Sequence, residues 1–376
     1  MRVLTVFGTR PEVIKLAPVI RALERGGVDV IVCATGQHRD MLDQMLEIFS
    51  LCPDFDLDIM RPNQSPLDVA GRILTELPAV IAQVRPDWLV VQGDTTTTFA
   101  ASWVGFHAQT PVAHVEAGLR THDKFHPFPE EINRRLTSVL ADLHFAPTSG
   151  AESNLLAEGI APERIFVTGN PVVDAMEMIL DQPTQWDDPR LEGFEGRILL
   201  VTAHRRESFG PPLEEICRAV ADLLAEHKDL TAVFPVHPNP SVREVVERAL
   251  GKIPRVILVP PMPYPPFVRL MQRADLILSD SGGVQEEAPS VGTPVLVLRE
   301  ITERPEAIES GWAQLVGTSR ARIVEMANEY LKQNRKQQLR QCSNPFGDGH
   351  AGERIAELLA SQFDRQSSVI RKSAEE

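Results

Sequence analysis

Two glycines follow a serine where an apolar run gives way to a helical pattern, in Asp280-Ser281-Gly282-Gly283-Val284-Gln285-Glu286-Glu287. At such a helix start several backbone N–H groups point the same way, and the helix dipole adds positive charge, so phosphates bind there readily. Glu286 and Glu287 lie in the first turn, where a carboxylate either caps the helix or accepts hydrogen bonds from a sugar's hydroxyl pair. This segment alone is compatible with two interpretations, a phosphate site and a plain helix start with an acidic cap.

Carboxylates occupy comparable positions in the first half of the chain. Asp94 follows the strand pattern of Trp88–Val91, Glu116 follows Val112–Val115, and Glu130 opens a helix after a long loop. Parallel strands bring their carboxyl ends to one edge of a sheet, so these three side chains are expected to converge there. Neighbouring carboxylates push their pKa values apart, which makes one an acid and another a base. Three independent helix caps are the alternative.

Basic side chains follow other predicted strands. Arg10 and Lys15 come after the first strand, where they could reach an anion or could be ordinary surface cations. His204 follows the first strand of the second half, where an imidazole could titrate near neutral pH or donate to a phosphate. His237 is a weaker candidate of the same kind. Arg304, which also follows a strand, is a further candidate for an anion or sugar contact.

One aromatic segment could recognise a nucleotide base. Phe267, in Tyr264-Pro265-Pro266-Phe267, could stack on a flat ring, and the loop Pro260–Pro263 could offer its backbone to the base edge. Packing of Phe267 in the core explains the pattern equally well.

The elements that must position these side chains alternate between strand and helix. Continuous apolar runs, without polar alternation, predict parallel strands that helices cover on both faces, the doubly wound α/β class. The predicted strands are Val3–Phe7, Val28–Ala34, Trp88–Val91, Val112–Val115, Leu143–Ala146, Arg164–Thr168, Ile198–Thr202, Thr231–Phe234, Val256–Val259, Leu276–Leu278 and Val295–Leu298.

A break in this pattern divides the chain. We predict an N-terminal Rossmann-like domain at 1–180, a linker at 181–196, a C-terminal Rossmann-like domain with terminal helices at 197–363, and a frayed tail at 364–376. The two domains are expected to face each other across a cleft between the carboxyl ends of their strands, where ligands bind in this architecture.

Composition restricts the class of protein. The length of 376 residues fits two domains, and the net charge of −14 argues against nonspecific binding to nucleic acid or an anionic membrane. The four cysteines, Cys33, Cys52, Cys217 and Cys342, show neither disulfide nor zinc spacing. No apolar run approaches membrane-spanning length. These features predict a soluble cytoplasmic protein.

Two apparent motifs fail their context tests. Gly347-x-Gly349-x-x-Gly352 matches a dinucleotide fingerprint, but no strand pattern precedes it. Asp54-x-Asp56-x-Asp58 resembles a calcium loop, but Ile59 replaces the required glycine. The histidines show no metal-ligand spacing, so neither a metal nor a nicotinamide cofactor is expected.

Eight segments in one order resemble the non-hydrolysing UDP-N-acetylglucosamine 2-epimerases over nearly the whole chain. They are Phe7-Gly8-Thr9-Arg10-Pro11-Glu12, Gln37-His38-Arg39, Gly93-Asp94-Thr95-Thr96-Thr97-Thr98, His114-Val115-Glu116-Ala117-Gly118-Leu119-Arg120, Pro129-Glu130-Glu131, His204-Arg205-Arg206-Glu207-Ser208-Phe209-Gly210, Asp280-Ser281-Gly282-Gly283-Val284-Gln285-Glu286-Glu287 and Thr302-Glu303-Arg304-Pro305-Glu306.

The resemblance implies a GT-B-like fold, a homodimer, and reversible conversion of UDP-GlcNAc to UDP-ManNAc. The implied route eliminates UDP to give 2-acetamidoglucal and then re-adds it, without metal or nicotinamide, and the product feeds cell-surface polysaccharide. Three enzyme alternatives stay open: a related epimerase acting on a UDP-diacetamido-uronate, a GT-B glycosyltransferase, and a hydrolysing epimerase that releases free UDP and ManNAc. A non-catalytic nucleotide-sugar sensor is a third class, against which the acid/base set argues.

The resemblance also implies roles for individual residues. The catalytic set is Asp94, Glu116, Glu130 and His204. The contacts to UDP and sugar are Arg10, Lys15, Ser281, Gly282, Gly283, Glu287 and Arg304, with the Met262 backbone and Phe267 near the uracil. A second, activating substrate site would involve Gln37, His38 and His237.

Overall fold

The computed structural model describes residues 1–36, 39–61, 64–183, 185–186, 188–203, 205 and 208–375. The chain forms two compact units, one comprising Met1–Ala175 with Phe346–Glu376 and the other Met176–Pro345. Each unit contains a parallel sheet with helices between successive strands, so the predicted doubly wound α/β class is confirmed. Among the described helices, none combines the length and apolar character needed to cross a lipid bilayer.

The first unit is organised around a seven-stranded sheet. Its strands are β1 (Arg2–Phe7), β2 (Asp29–Ala34), β3 (Phe55–Asp56), β4 (Trp88–Gln92), β5 (Val112–Val115), β6 (Leu143–Ala146) and β7 (Ile165–Val167). Its helices before the boundary are α1 (Arg10–Arg25), α2 (Arg39–Ile48), α3 (Pro66–Val84), α4 (Thr96–His107), α5 (Glu130–Leu140) and α6 (Ser149–Ala157), and α7 (Pro171–Leu180) contains the boundary.

The strand order in this sheet is β3-β2-β1-β4-β5-β6-β7. The chain winds outward from β1 in one direction and returns to continue from β4 in the other, so the order switches between these two strands. At such a switch point the carboxyl ends of the strands border a crevice. β4, β5 and β6 are buried throughout, and apolar residues of β4 pack with those of α3 and α4 in one core cluster.

The second unit has a six-stranded parallel sheet. Its strands are β8 (Arg197–Thr202), β9 (Leu230–Pro235), β10 (Val256–Val259), β11 (Leu276–Ser279), β12 (Val295–Val297) and β13 (Ala313–Leu315). Its helices are α8 (Pro211–Glu226), α9 (Pro240–Leu250), α10 (Tyr264–Arg273), α11 (Gly282–Glu287), α12 (Pro305–Glu309), α13 (Arg320–Lys332) and α14 (Arg335–Leu339). The order is β10-β9-β8-β11-β12-β13, with the switch between β8 and β11.

The C-terminal helix α15 (Ala351–Glu375) belongs to the first unit. Its Gly352 lies against α1, where an added Cβ would be 2.9 Å from the carbonyl carbon of Pro18. Asp174 accepts a hydrogen bond from the Gly352 N–H at 2.8 Å. These long-range contacts explain why the predicted boundaries, which assign 346–363 to the second domain, differ from the structure. The helix also continues to Glu375, through the segment predicted as a frayed tail.

The elements that the sequence did not predict are short. β3 has two residues and β13 has three, so neither displays an apolar run. The predicted linker 181–196 lies between α7 and β8, where the described residues include a 3-10 turn at Pro189–Leu191.

Candidate active site

Glu116 follows β5 directly and its side chain is buried among polar partners. Its Oε2 accepts a hydrogen bond from Nε2 of Gln92, on β4, at 2.7 Å. The same oxygen pairs with the Nζ of Lys15 on α1. The backbone at Glu116 is left-handed, with φ of 61°, a conformation that residues other than glycine seldom adopt. Three elements therefore fix one carboxylate at the carboxyl edge of the sheet.

Asp94 lies in the turn after β4, and α5 holds it in place. Nη2 of Arg134 donates to its Oδ2 at 2.5 Å, and Nδ2 of Asn133 donates to its carbonyl oxygen at 3.0 Å. About a third of the Asp94 side chain is exposed, whereas Arg134 is buried. Glu130 opens α5 one turn before Arg134 and is half-buried. The predicted carboxylates at 94, 116 and 130 thus all lie in the first unit, at strand ends or the start of α5.

The two adjacent glutamates at the start of α5 differ in their surroundings. Glu131 is fully buried, and its carboxylate accepts the N–H groups of Thr121 at 3.1 Å and His122 at 3.2 Å. It also lies 3.4 Å from Nη1 of Arg134. Glu131 therefore fixes the loop before α5, which leaves Glu130 as the candidate for chemistry.

Glu12 connects two turns of the candidate site, and the sequence analysis did not name it as a site residue. Its carboxylate accepts the N–H groups of Gly8 at 3.0 Å and Thr9 at 2.7 Å, and the Thr95 hydroxyl at 2.7 Å. Burial raises the pKa of Glu12, and these hydrogen bonds oppose that rise. The group ties the turn after β1, where the half-buried Arg10 begins α1, to the turn after β4. The capping pattern Thr-x-x-Glu at positions 9–12 is the signal that could have identified it.

In the second unit, two guanidinium groups flank the start of α11. Ser281 is the N-cap of this helix, Gly282 is buried and Gly283 is exposed. A Cβ added at Gly282 would lie 3.7 Å from Cζ of Arg304 and 3.8 Å from Nη2 of Arg205. A helix N-terminus with two cations beside it is suited to an anion with several oxygens. Arg205 was quoted in a motif but not named as a site residue.

The two acidic residues of α11 each accept a hydrogen bond from a neighbouring side chain. Glu286 accepts a hydrogen bond from Nε of Arg304 at 2.7 Å, which orients the guanidinium. Glu287 accepts from the hydroxyl of the buried Tyr264 at 3.2 Å. The two adjacent carboxylates therefore have different neighbours, and Glu287 remains the candidate for a sugar hydroxyl pair.

The turn after β8 is attached to the turn after β11. Oδ2 of the buried Asp280 accepts the N–H of Arg205 and the hydroxyl of Ser208, both at 2.9 Å. The segment that includes Arg205 thereby lies at the switch point of the second sheet. His204 itself lies outside the described residues, as do Gln37 and His38.

The remaining predicted contacts also lie in the second unit. Met262 is half-buried in the loop between β10 and α10, and Phe267 is half-buried in the first turn of α10. His237 follows β9, and its Nδ1 accepts the N–H of Asn239 at 3.2 Å. Within the described ranges, no three or more His, Cys, Asp or Glu side chains are grouped so as to hold a metal ion.

Comparison with known proteins finds a matching family model and similar proteins that carry the same enzyme name. A model of the UDP-N-acetylglucosamine 2-epimerase family matches residues 21–360. The UDP-N-acetylglucosamine 2-epimerase of Escherichia coli strain K12 is 52% identical over 369 residues, which cover 96% of this chain and 98% of that protein. Neisseria meningitidis UDP-GlcNAc 2-epimerase, solved bound to UDP-GlcNAc, is 43% identical with a TM-score of 0.87, covering 96% of this chain and 100% of that one.

A further solved structure extends the similarity to greater sequence distance. The UDP-GlcNAc 2-epimerase of Methanocaldococcus jannaschii, in complex with UDP-GlcNAc and UDP, is 35% identical with a TM-score of 0.81, covering 96% of this chain and 100% of that one. The predicted fold class of two Rossmann-like domains, GT-B-like, is confirmed. Because a family model matches most of its length and a relative is half identical to it, the chain belongs to the UDP-N-acetylglucosamine 2-epimerase family.

Proposed function

We propose that this chain catalyses the reversible epimerisation of UDP-GlcNAc to UDP-ManNAc at C2 of the sugar, without hydrolysing the nucleotide sugar. The observation that carries the proposal is the buried group formed by Glu116, Lys15 and Gln92, close in the fold to the Asp94–Arg134 pair. Family relatives that carry this enzyme name support the choice of substrate.

The chemistry requires a route that forms no free carbanion at C2, because no carbonyl group adjoins C2 to stabilise one. A base removes the proton from C2, the C–H electron pair forms the C1–C2 double bond, and the C1–oxygen bond breaks to release UDP and 2-acetamidoglucal. In the return step the double bond takes a proton on the opposite face of C2, and a UDP oxygen bonds again to C1. Such proton transfers need positioned acid and base groups.

We assign the proton transfers to Asp94, Glu116, Glu130 and His204. Transfer on opposite faces of one carbon needs at least two of these groups, each held in a fixed position. Glu116 is fixed by Lys15 and Gln92, and Asp94 is fixed by Arg134. His204 lies outside the described residues, so its part in the set rests on the sequence alone.

We assign the diphosphate to the start of α11, because the leaving group carries negative charge that grows as the C1–oxygen bond breaks. N–H groups and cations that face this charge stabilise the transition state. The proposed contacts to UDP and sugar are Arg10, Lys15, Ser281, Gly282, Gly283, Glu287 and Arg304, with Arg205 added by the geometry at Gly282. Phe267 and the Met262 backbone would lie near the uracil.

Conversion from both directions tests the proposed activity. The purified protein is incubated separately with UDP-GlcNAc and with UDP-ManNAc, and both mixtures are followed by chromatography and NMR. The two incubations should reach one common ratio of the two nucleotide sugars. Accumulation of UDP with free sugar would identify a hydrolase. If neither compound changes, the proposal fails, and a UDP-diacetamido-uronate and then a transferase assay with acceptor sugars come next.

We infer that two copies of the chain pair through an apolar face on α3, α4 and α5. Large apolar side chains are exposed along these three adjacent helices, among them Trp103, Phe106 and Val139, the last 77% exposed. Several large exposed apolar side chains on neighbouring helices are typical of an interface. The occupant we propose is the same face of a second copy, in a twofold arrangement.

We also propose that the substrate activates the enzyme from a second site. Gln37, His38 and His237 are the candidate contacts. The measurement is initial rate against UDP-GlcNAc concentration: a sigmoidal curve supports the second site, and a hyperbolic curve removes it.

The product, in this proposal, supplies ManNAc-type precursors for cell-surface polysaccharide. Deletion of the gene should remove those sugars from the polysaccharide, and an unchanged composition would contradict the assignment. The cytoplasmic location stays a prediction.

A further inference from the structure

Three consecutive backbone carbonyls, at the last residue of β4 and in the turn that follows, each accept a hydrogen bond from a different element. The donors are Oγ1 of Thr98 on α4, Nε2 of His114 on β5 and Nδ2 of Asn133 on α5, at 2.6, 2.7 and 3.0 Å from the carbonyl oxygens of residues 92, 93 and 94. The turn that carries Asp94 is therefore fixed from three sides.

His114 differs from the other two donors because Glu116 directly follows its strand, β5. Gly93, the residue between β4 and Asp94, donates its N–H to the carbonyl of Val115 at 3.0 Å and accepts from His114 at 2.7 Å. Both backbone polar groups of Gly93 are thus bonded to β5, the strand that directly precedes Glu116. Gly93 has φ of 72°, so the chain reverses at this point in a conformation that suits glycine. These two bonds set where Asp94 lies relative to Glu116.

The protonation state of His114 suits a fixed donor. A carbonyl oxygen can only accept, so Nε2 carries the hydrogen and the neutral ring has a single tautomer. Burial lowers the pKa of His114 to about 4, although the hydrogen bond to Gly93 opposes this. Nδ1 is buried without a hydrogen-bond partner among the described residues, so a proton there would have no acceptor. The imidazole is neutral at pH 7.

We propose that His114 is a positioning residue, which sets the spacing of the Asp94 and Glu116 carboxylates through its hydrogen bond to the Gly93 carbonyl. This inference rests on the proposed epimerisation, in which two groups must reach opposite faces of one carbon. His114 is fully buried, so its proposed role is to act through the Gly93 carbonyl and not by contact with substrate. A displacement of about 1 Å at a reacting group costs about 100-fold in rate. The loss should appear in kcat, because the contacts assigned to UDP are made by other residues.

The variants separate the hydrogen bond from simple packing. His114→Leu removes the donor, whereas His114→Gln places an amide N–H near the position of Nε2. His144→Leu is the matched control: His144 pairs in register with His114 on the neighbouring strand β6 and is equally buried. Among the described residues, His144 makes no hydrogen bond to the turn after β4.

The expected result is a split between kcat and KM. His114→Leu should lower kcat for UDP-GlcNAc about 100-fold with KM changed less than about threefold. His114→Gln should recover most of the rate, and His144→Leu should keep kcat within about threefold of wild type. Equal losses in His114→Leu and His144→Leu, no rescue by glutamine, or a loss confined to KM would each overturn the inference.

A second measurement does not depend on activity or on the folding of the leucine variant. Nitrogen-15 NMR of the wild-type histidines should show His114 as the Nε2–H tautomer, titrating near pH 4. A ring protonated at Nδ1, or one that titrates near pH 6.5, would overturn the hydrogen bond and with it the inference. A wild-type protein without epimerase activity but with this NMR signature would instead contradict the proposed function alone.

Discussion

A carboxylate that performs proton transfer must be held in position and yet keep its proton-accepting oxygens within reach of the substrate. Glu116 meets the first requirement through Lys15 and Gln92, which both contact the same oxygen. Asp94 is held in position by Arg134, and about one-third of its side chain stays exposed. The pairing of Lys15 with Glu116 adds a role that its sequence position did not indicate. Lys15, which we predict to contact an anionic ligand, therefore also orients Glu116, a candidate catalytic residue.

Replacing Glu116 tests this role. Glu116→Gln should lower kcat by about 10²- to 10⁴-fold, the usual contribution of a general acid or base, while the Kd for UDP changes little. Breaking a buried ion pair costs about 3–5 kcal/mol, so the rate must be measured well below the variant's unfolding temperature.

A paired glutamate outside the site provides the control for this variant. Glu158 accepts two hydrogen bonds from Arg120, at 2.9 and 2.7 Å, and Glu158→Gln should leave kcat near the wild-type value. Turnover by Glu116→Gln equal to that of the control would remove Glu116 from the catalytic set.

At the scale of the element, the start of α11 combines N–H groups with two guanidinium groups. Gly282→Ala adds a methyl group at ordinary contact distance, 3.7 Å from Arg304 and 3.8 Å from Arg205. The fold should therefore tolerate it, but the methyl group occupies the space in which both cations would meet an anion. We expect the Kd for UDP to rise by about tenfold or more, the loss of one charged hydrogen bond, with an almost unchanged unfolding temperature.

A glycine in another helix provides the comparison. Gly71 lies inside α3 and an added Cβ there meets nothing within 4 Å. Gly71→Ala should stabilise the protein by about 0.5–1 kcal/mol without altering UDP binding, as expected for an exposed helix position. If calorimetry finds wild-type UDP affinity in Gly282→Ala, α11 does not bind the diphosphate.

The strands, helices and their contacts show which features the sequence predicts and which it does not. Apolar runs such as Trp88–Val91 and turns such as Ser281-Gly282-Gly283 predicted strands and a helix start correctly, because those signals are local. β3 was missed because two residues at a sheet edge carry no periodicity. The return of α15 to α1, and the convergence of Arg205 with Arg304, depend on contacts between distant segments that no local pattern encodes.

At the scale of the whole molecule, the apolar face of α3, α4 and α5 predicts the oligomeric state. Val139→Asp places a charge at a position that a second copy would cover, so the mass at micromolar concentration should fall from dimer to monomer. Leu156→Asp is the control, since Leu156 is also exposed but lies on α6, which packs in a different core cluster. Sedimentation equilibrium measures both. A monomeric wild type, or equal effects of the two variants, would contradict the proposed pairing.

Two buried histidines predict how stability depends on pH. Burial lowers the pKa of His114 to about 4 and that of His144 to about 3, below the unfolded value near 6.5. As the pH falls below 6.5, the unfolded chain binds these protons first, so each histidine reduces stability by up to about 1.4 kcal/mol per pH unit until its folded pKa is reached. Above pH 7 neither contributes to the slope.

Replacing one of these histidines isolates its share of the slope. His144→Leu should lose less stability than wild type between pH 6.5 and 4. Denaturant unfolding at several pH values measures the slopes. Parallel curves for wild type and His144→Leu would contradict the assignment.

Exchange of the hydrogen at C2 tests the central claim most directly. The wild-type protein is incubated with UDP-GlcNAc in D2O, and proton NMR follows C2 of both nucleotide sugars. Proton transfer through the carboxylates predicts deuterium at C2 of UDP-ManNAc, and later of recovered UDP-GlcNAc, with UDP still attached. UDP-ManNAc that retains the original hydrogen at C2 would contradict the account, because that hydrogen would then move without exchange through the protein's acid and base groups.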